Sequence, residues 1–239
     1  MFCKFIKPTI SFLHDLRYNG GMGNSFVYGK TALVIGGTSG IGGCVADILV
    51  EKGADVYVTG THEPECKKLH FIPCDFEKNG LSELDRLEPV LSECTVLCVC
   101  YGPFVQKSLH ETTPDDWQKM ALFDYALPGI AVSKVLASMM EKKCGSILLF
   151  GGTRSEIPRA CATNAAYLGA KTGLGVLVKS VAREYGRLGI RCNAVLPGFT
   201  RNASEGFLSD AVQIAEKAVY VMEQRDLNGI FLNVDYGWM

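Results

Sequence analysis

No excess of either charge marks this 239-residue chain: 24 lysines and arginines stand against 25 aspartates and glutamates, and the pI is near 6.4. A basic field strong enough to bind nucleic acid by counterion release is therefore excluded. Long apolar runs are missing too. The most apolar stretch, residues 95–105, contains a Gly-Pro pair and is far shorter than the ~18–20 residues that span a bilayer, so no membrane partner is expected. Residues 1–28 hold Pro8 and scattered charges that interrupt any leader-like apolar core. Cys98 and Cys100 point to one face of a strand, but no second Cys or His pair joins them at ligand spacing, and no metal site is expected. The ten cysteines read as reduced thiols of a cytoplasmic protein.

What is present is apolar and patterned. With 48% hydrophobic and 21% charged residues, the chain is too apolar to stay disordered, and its length suits one α/β domain. Residues 1–28 read as an N-terminal appendage, either frayed or packed on a neighbour through Ile10, Phe12, Leu13 and Leu16, with Met22 as an alternative start. From residue 29 to 239, apolar runs alternate with helical stretches. Strands are predicted at TALVI, DVYVT, HFIPC, TVLCVC, SILLF, RCNAVL and GIFLNV. Helices are predicted at CVADILVEKG and over residues 115–140 and 165–187. Continuous apolar strands between helices define a parallel sheet covered on both faces, a three-layer, doubly wound, Rossmann-like architecture. Residues 61–69 are too short for a helix between the second and third strands, so that helix is expected to be missing. The exposed face would be thinner there, or covered by another segment such as the appendage.

Gly36-Gly37-Thr38-Ser39-Gly40-Ile41-Gly42 lies between the first strand and its helix. Backbone N–H groups and the positive helix end favour a pyrophosphate at such a place, and glycines let it approach. No Gly-Lys-Ser/Thr follows, so this is not a P-loop. A tight strand-to-helix turn alone is the lesser, competing explanation of the glycines.

Far down the chain Tyr167 and Lys171 stand four apart, on one helix face. The ordered set of Gly36-x3-Gly40-x-Gly42, Tyr167-x3-Lys171, Arg191 to Gly198 and the ending Asn233-Val234-Asp235-Tyr236-Gly237 resembles the short-chain dehydrogenase/reductase family. The resemblance implies an NAD(P)-dependent oxidoreductase acting on an alcohol/carbonyl pair. Tyr167 would be the general acid/base, and Lys171 would lower its pKa and hold the nicotinamide ribose. A free phenol has a pKa of about 10, so reaching about 7 takes roughly 4 kcal/mol of preferential phenolate stabilisation.

The resemblance also shows departures. The family serine that bonds the substrate oxygen aligns with Gly152, leaving Thr153 as the expected hydroxyl, then Ser155, or none. The family asparagine of the proton relay, seven residues after Trp117, is Asp124. The Asn-Asn-Ala-Gly segment reads Val99-Cys100-Tyr101-Gly102, so Tyr101 and Gly102 are expected beside the cofactor. Asp75 matches the aspartate that reaches the adenine, and Pro197, Gly198 and Thr200 are further expected cofactor contacts. The second strand ends in Thr59-Gly60-Thr61-His62, without the carboxylate that would bind a ribose diol; Thr61 is a candidate phosphate donor, and NADP is favoured over NAD.

A small-molecule substrate and a homodimer or homotetramer are expected, the latter from apolar residues on more than one face of the two long helices. Among these are Leu127, Ile130, Val132, Leu174, Val176 and Val181. The competing reading is a nucleotide-binding regulatory or scaffold protein of the same fold with impaired catalysis.

Overall fold

A computed structural model of the chain describes residues 25–198, 210–235 and 237. Seven parallel strands run in the order β3-β2-β1-β4-β5-β6-β7. They are β1 (Thr31–Ile35), β2 (Asp55–Gly60), β3 (His70–Pro73), β4 (Val96–Val99), β5 (Gly145–Phe150), β6 (Ile190–Pro197) and β7 (Phe231–Val234). The helices are α1 (Gly40–Glu51), the short α2 (Phe76–Asn79) and α3 (Glu88–Leu91), α4 (Pro114–Ala121), α5 (Leu127–Lys142), α6 (Ala165–Tyr185) and α7 (Ala211–Glu223). Val96, Leu97, Cys98 and Val99 are all buried, as a central parallel strand with helices on both faces requires.

The sheet divides the core in two. Leu33, Leu97, Leu127, Val135 and Leu174 belong to the side of α3, α5 and α6. Val34, Val45, Leu49, Val58 and Ala218 belong to the side of α1 and α7. As the sequence predicts, no helix joins β2 to β3; Leu69, buried, and Cys66 of the link pack on the α1 side instead. Whether the appendage also covers this face lies outside the described residues, but Phe26 and Val27, assigned by sequence to the appendage, are buried in the same core. All nine described cysteines are unpaired thiols.

The predicted helix over 115–140 is a helical run from Pro114 to Lys142, long and apolar enough by length and composition to cross a membrane. Phe123, Leu127, Ala131, Val135 and Met139 place its apolar side in the core. The run is not uniform. Leu122–Ala126 widens into a π turn, with the Leu127 N–H donating to the Leu122 carbonyl. Pro128 accounts for it: it has no N–H for the Asp124 carbonyl, and its ring would collide with that carbonyl in a regular α-turn.

The Arg191-Cys192-Asn193 stretch is structural. The Arg191 guanidinium donates to the Met222 carbonyl at 2.6 Å and stacks on the Phe26 ring at 4.9 Å. The Asn193 side chain donates to the Leu227 carbonyl and accepts from the Ile230 N–H, fixing the entry to β7.

Candidate active site

The carboxyl ends of β1, β4, β5 and β6 and the start of α6 define one region of the molecule. At β1, Gly36 has φ 77° and a Cβ there would come 2.8 Å from the Tyr101 nitrogen, so only glycine fits. A Cβ at Gly42 would collide with the Gly36 carbonyl oxygen. Thr59 holds the loop from below, its hydroxyl accepting from the Gly36 N–H at 3.0 Å. Ser39 is the N-cap of α1 but makes no side-chain capping bond, and no acidic residue occupies the first turn. Free donors at a helix start, with open space beside Gly40, form an anion cradle. Thr38 lies over the end of β2, where a Cβ on Gly60 would strike it. Beyond it, the exposed Thr61 hydroxyl is 2.8 Å from His62 Nδ1.

Tyr101 and Gly102 form the bridge to α6. The Tyr101 backbone backs Gly36, while its ring turns into the core, with ring centroids 5.0 Å from Phe76 and 5.8 Å from Phe123. Burial pushes the Tyr101 phenol up to about 12. Gly102 is exposed on one side and on the other covers Asp124 and Lys171: a Cβ would collide with Asp124 Oδ1 and lie 3.1 Å from Lys171 Nζ. Gly102→Ala is accordingly expected to cost about 1–3 kcal/mol by overpacking. A thermal melt should fall by roughly 3–10 °C, and an unchanged melting temperature would show that the pair yields freely.

Lys171 and Asp124 are both buried, and Nζ lies 3.0 Å from Asp124 Oδ1. The ammonium also donates to the Phe150 carbonyl at 3.0 Å, which fixes it at the end of β5. Burial holds the Asp124 carboxyl above the usual carboxylate range, opposed by the Lys171 charge. Tyr167 is half-buried, with Lys171 Nζ 5.8 Å from its ring centroid. Its phenol is raised above its ordinary pKa, first by burial, with Lys171 lowering it and Asp124 raising it. Among the described residues its hydroxyl has no hydrogen-bond partner. Phe104, which sequence reasoning missed, stands edge-on to it at 4.8 Å.

The expected hydroxyl of Thr153 is already engaged. Thr153 Oγ1 donates to the Pro197 carbonyl at 2.8 Å, so the proton needed to polarise a carbonyl is committed elsewhere. Ser155 is buried and accepts from the Gly152 N–H at 3.0 Å, closing the turn after β5. Gly152 is the position that faces Tyr167: a Cβ there would be 3.6 Å from the phenol oxygen. Gly152, which aligns with the family serine, thus borders Tyr167 without a side chain.

Asp75 follows β3 and caps α2, accepting from the Lys78 N–H at 3.0 Å. Ile41 lies in the first turn of α1 and packs on the core of that side. Gly198 donates to the Val234 carbonyl at 2.9 Å and packs against Asp235. Thr200 lies outside the described residues.

A doubly wound parallel sheet with a glycine cradle at its first strand-to-helix turn, and a tyrosine-lysine pair across from it, defines the dinucleotide-dependent oxidoreductases. A family model described as short chain dehydrogenase matches residues 30–212, and the chain belongs to that family. It is 30% identical over 196 residues to the 3-oxoacyl-(acyl-carrier-protein) reductase FabG of Salmonella typhimurium, covering 76% of this chain and 78% of that one. It is 32% identical over 179 residues to the acetoacetyl-CoA reductase of a Synechocystis strain, covering 71% of each. A solved structure described as a putative betaketoacyl-ACP reductase matches the fold with a TM-score of 0.76 at 24% identity, over 88% of this chain and 98% of that one.

Proposed function

We propose that the protein is an NADP-dependent carbonyl reductase in which Tyr167 gives the proton to the substrate oxygen. The observation that carries this is the convergence of Gly102, Lys171 and Asp124 beside Tyr167, linked through Tyr101 to the glycine cradle. Gly36, Thr38, Ser39, Gly40, Ile41 and Gly42 would hold the pyrophosphate, and Asp75 the adenine side. Lys171, ion-paired with Asp124 and donating one N–H to the Phe150 carbonyl, keeps donor capacity for the ribose diol. The bound dinucleotide supplies the hydride. With its pKa raised, Tyr167 remains protonated through neutral pH, the state needed for reduction. No carboxylate at 60–62 opposes a 2′-phosphate, and Thr38, Thr61 and His62 surround its place, which favours NADP over NAD.

The test is titration with NADPH and NADH followed by a carbonyl panel that includes acetoacetyl-CoA, the class named by one relative. Tighter NADPH binding with turnover supports the reading; absence of dinucleotide binding overturns it. Bare Gly152, committed Thr153 and a Lys171 neutralised by Asp124 favour a second reading, a nucleotide-binding regulatory or scaffold protein with impaired catalysis. Binding without turnover across the panel would select it.

Lys171→Ala is expected to weaken dinucleotide binding at least tenfold and to destabilise the fold by about 3–5 kcal/mol, because it strands a buried Asp124. Fluorescence titration and a denaturant melt measure the two effects separately. A rate loss at unchanged affinity would contradict the ribose contact.

We also propose a cytoplasmic homodimer or homotetramer. Most of the apolar residues on which the sequence expectation rested, Leu127, Val132, Leu174 and Val181 among them, are used by the protein's own core. Val176 is exposed, and so are Trp117, Leu122 and Tyr125. These four are apolar surface available to a second copy. Light scattering giving the monomer mass of 26.0 kDa would refute the oligomer.

A further inference from the structure

Two features flank Tyr167 that proton transfer does not use. Phe104, on the segment between β4 and α4, lies edge-on to the Tyr167 ring, with the planes at 81°, and leaves 52% of its own surface exposed. Gly152 borders the same ring at Cε1, where a Cβ would come within 3.1 Å. A substrate oxygen accepting the Tyr167 proton must come within about 2.6–3.2 Å of the phenol oxygen. Whatever the carbonyl carbon carries is then held within a ring's width of Tyr167, against Phe104 on the protein surface and over the bare backbone of Gly152.

We infer that Phe104 and Gly152 set the substrate class, a ketone whose carbonyl carbon bears a flat apolar group such as an aryl ring. This rests on Tyr167 being the proton donor. Phe104 supplies an exposed aromatic surface packed edge-on to Tyr167, on which a second ring can gain offset or edge contact. Gly152 supplies the width. A Cβ there would press on the phenol ring at 3.1 Å, closer than ordinary van der Waals contact, and glycine leaves that space open. Loss of apolar contact with the substrate at either position should lower kcat/KM enough to be measured alone.

The experiment compares kcat/KM for acetophenone and for 2-butanone, with NADPH, in the wild type, Phe104→Ala, Phe104→Leu and Gly152→Ala. The wild type should prefer acetophenone. The acetophenone-to-butanone ratio should fall about tenfold in Phe104→Ala, mainly through KM, and partly in Phe104→Leu, which keeps bulk without a ring. Gly152→Ala should lower the same ratio by narrowing the gap. A wild-type preference for 2-butanone, or a ratio unmoved by all three changes, overturns the inference while leaving the reductase reading intact. If neither ketone is turned over, the reductase reading is decided by the wider carbonyl panel with acetoacetyl-CoA, and the aryl inference by binding. Saturation-transfer NMR of acetophenone on the NADPH-loaded protein then decides: a signal in the wild type that Phe104→Ala abolishes supports the aryl site, and equal signals or none overturn it. Circular dichroism melts of each variant confirm that the compared proteins are folded.

Discussion

Tyr167→Phe is expected to fold as the wild type does, bind NADPH with unchanged affinity, and lose at least two orders of magnitude in carbonyl reduction. The change removes one oxygen. Because that oxygen bonds to no described residue, no buried partner is left unsatisfied, and the ring keeps its edge contact with Phe104. The thermal melt should therefore superimpose on the wild type's. Proton transfer by a positioned side chain is typically worth about 10²–10⁴ in rate, and no other described hydroxyl replaces it: Thr153 is bonded to Pro197, Gly152 has no side chain, and the Tyr101 phenol is buried in the core. Steady-state turnover with the best carbonyl of the panel, beside a fluorescence titration of NADPH, measures both quantities. Retained turnover in Tyr167→Phe would remove Tyr167 from the mechanism.

The fold was legible in the sequence wherever a local pattern had one structural solution. Short unbroken apolar runs such as TVLCVC and SILLF, set between helical stretches, fit buried parallel strands, and the short link 61–69 left no room for a helix. Two helical segments went unpredicted. α7 reads clearly only once Asp210 is taken as its N-cap, accepting from the Val212 N–H, with Ile214, Ala215, Ala218 and Met222 following on one buried face. The run from Phe76 to Leu91 is broken into short turns, α2, a 3₁₀ stretch and α3, none long enough to show a period.

The site was half legible. Glycine spacing and Tyr-x3-Lys survive as sequence because the backbone of a strand-to-helix turn and one helix face fix their own geometry. What depends on three elements meeting was not. Thr153 stands next to the facing position, yet the turn closed by Ser155 sends its hydroxyl to Pro197 and leaves Gly152 beside Tyr167. The ion pair with Lys171 needs Asp124 to be brought inward, and the residue that widens the helix there is Pro128, four positions on. A proline four residues after an acidic residue, inside a helical pattern, was the signal available.

That ion pair leads to the second large effect expected. Asp124 is fully buried 3.0 Å from Lys171 and offsets the field that would otherwise favour the Tyr167 phenolate. Tyr167 is accordingly raised by burial and by Asp124, and lowered by Lys171. For alcohol oxidation the phenolate is the active form, so activity rises as pH climbs through the Tyr167 pKa; for reduction the phenol is active, and activity falls through the same value. Asp124→Asn removes a negative charge and keeps the shape. The Tyr167 pKa should then drop. The rise in oxidation and the fall in reduction should both move to lower pH. At a fixed pH on the rising limb, oxidation by Asp124→Asn should run up to about tenfold faster. NADPH affinity should change little, since Lys171 keeps its bond to the Phe150 carbonyl. Asp124→Leu is the contrasting change: it strands the buried ammonium and is expected to cost about 3–5 kcal/mol of stability. Turnover against pH in both directions, for the wild type and Asp124→Asn, measures the shift. Superimposable profiles would mean that Asp124 carries its own proton at working pH, and a shift to higher pH would exclude Asp124 as a group that adds to the burial effect on the Tyr167 pKa.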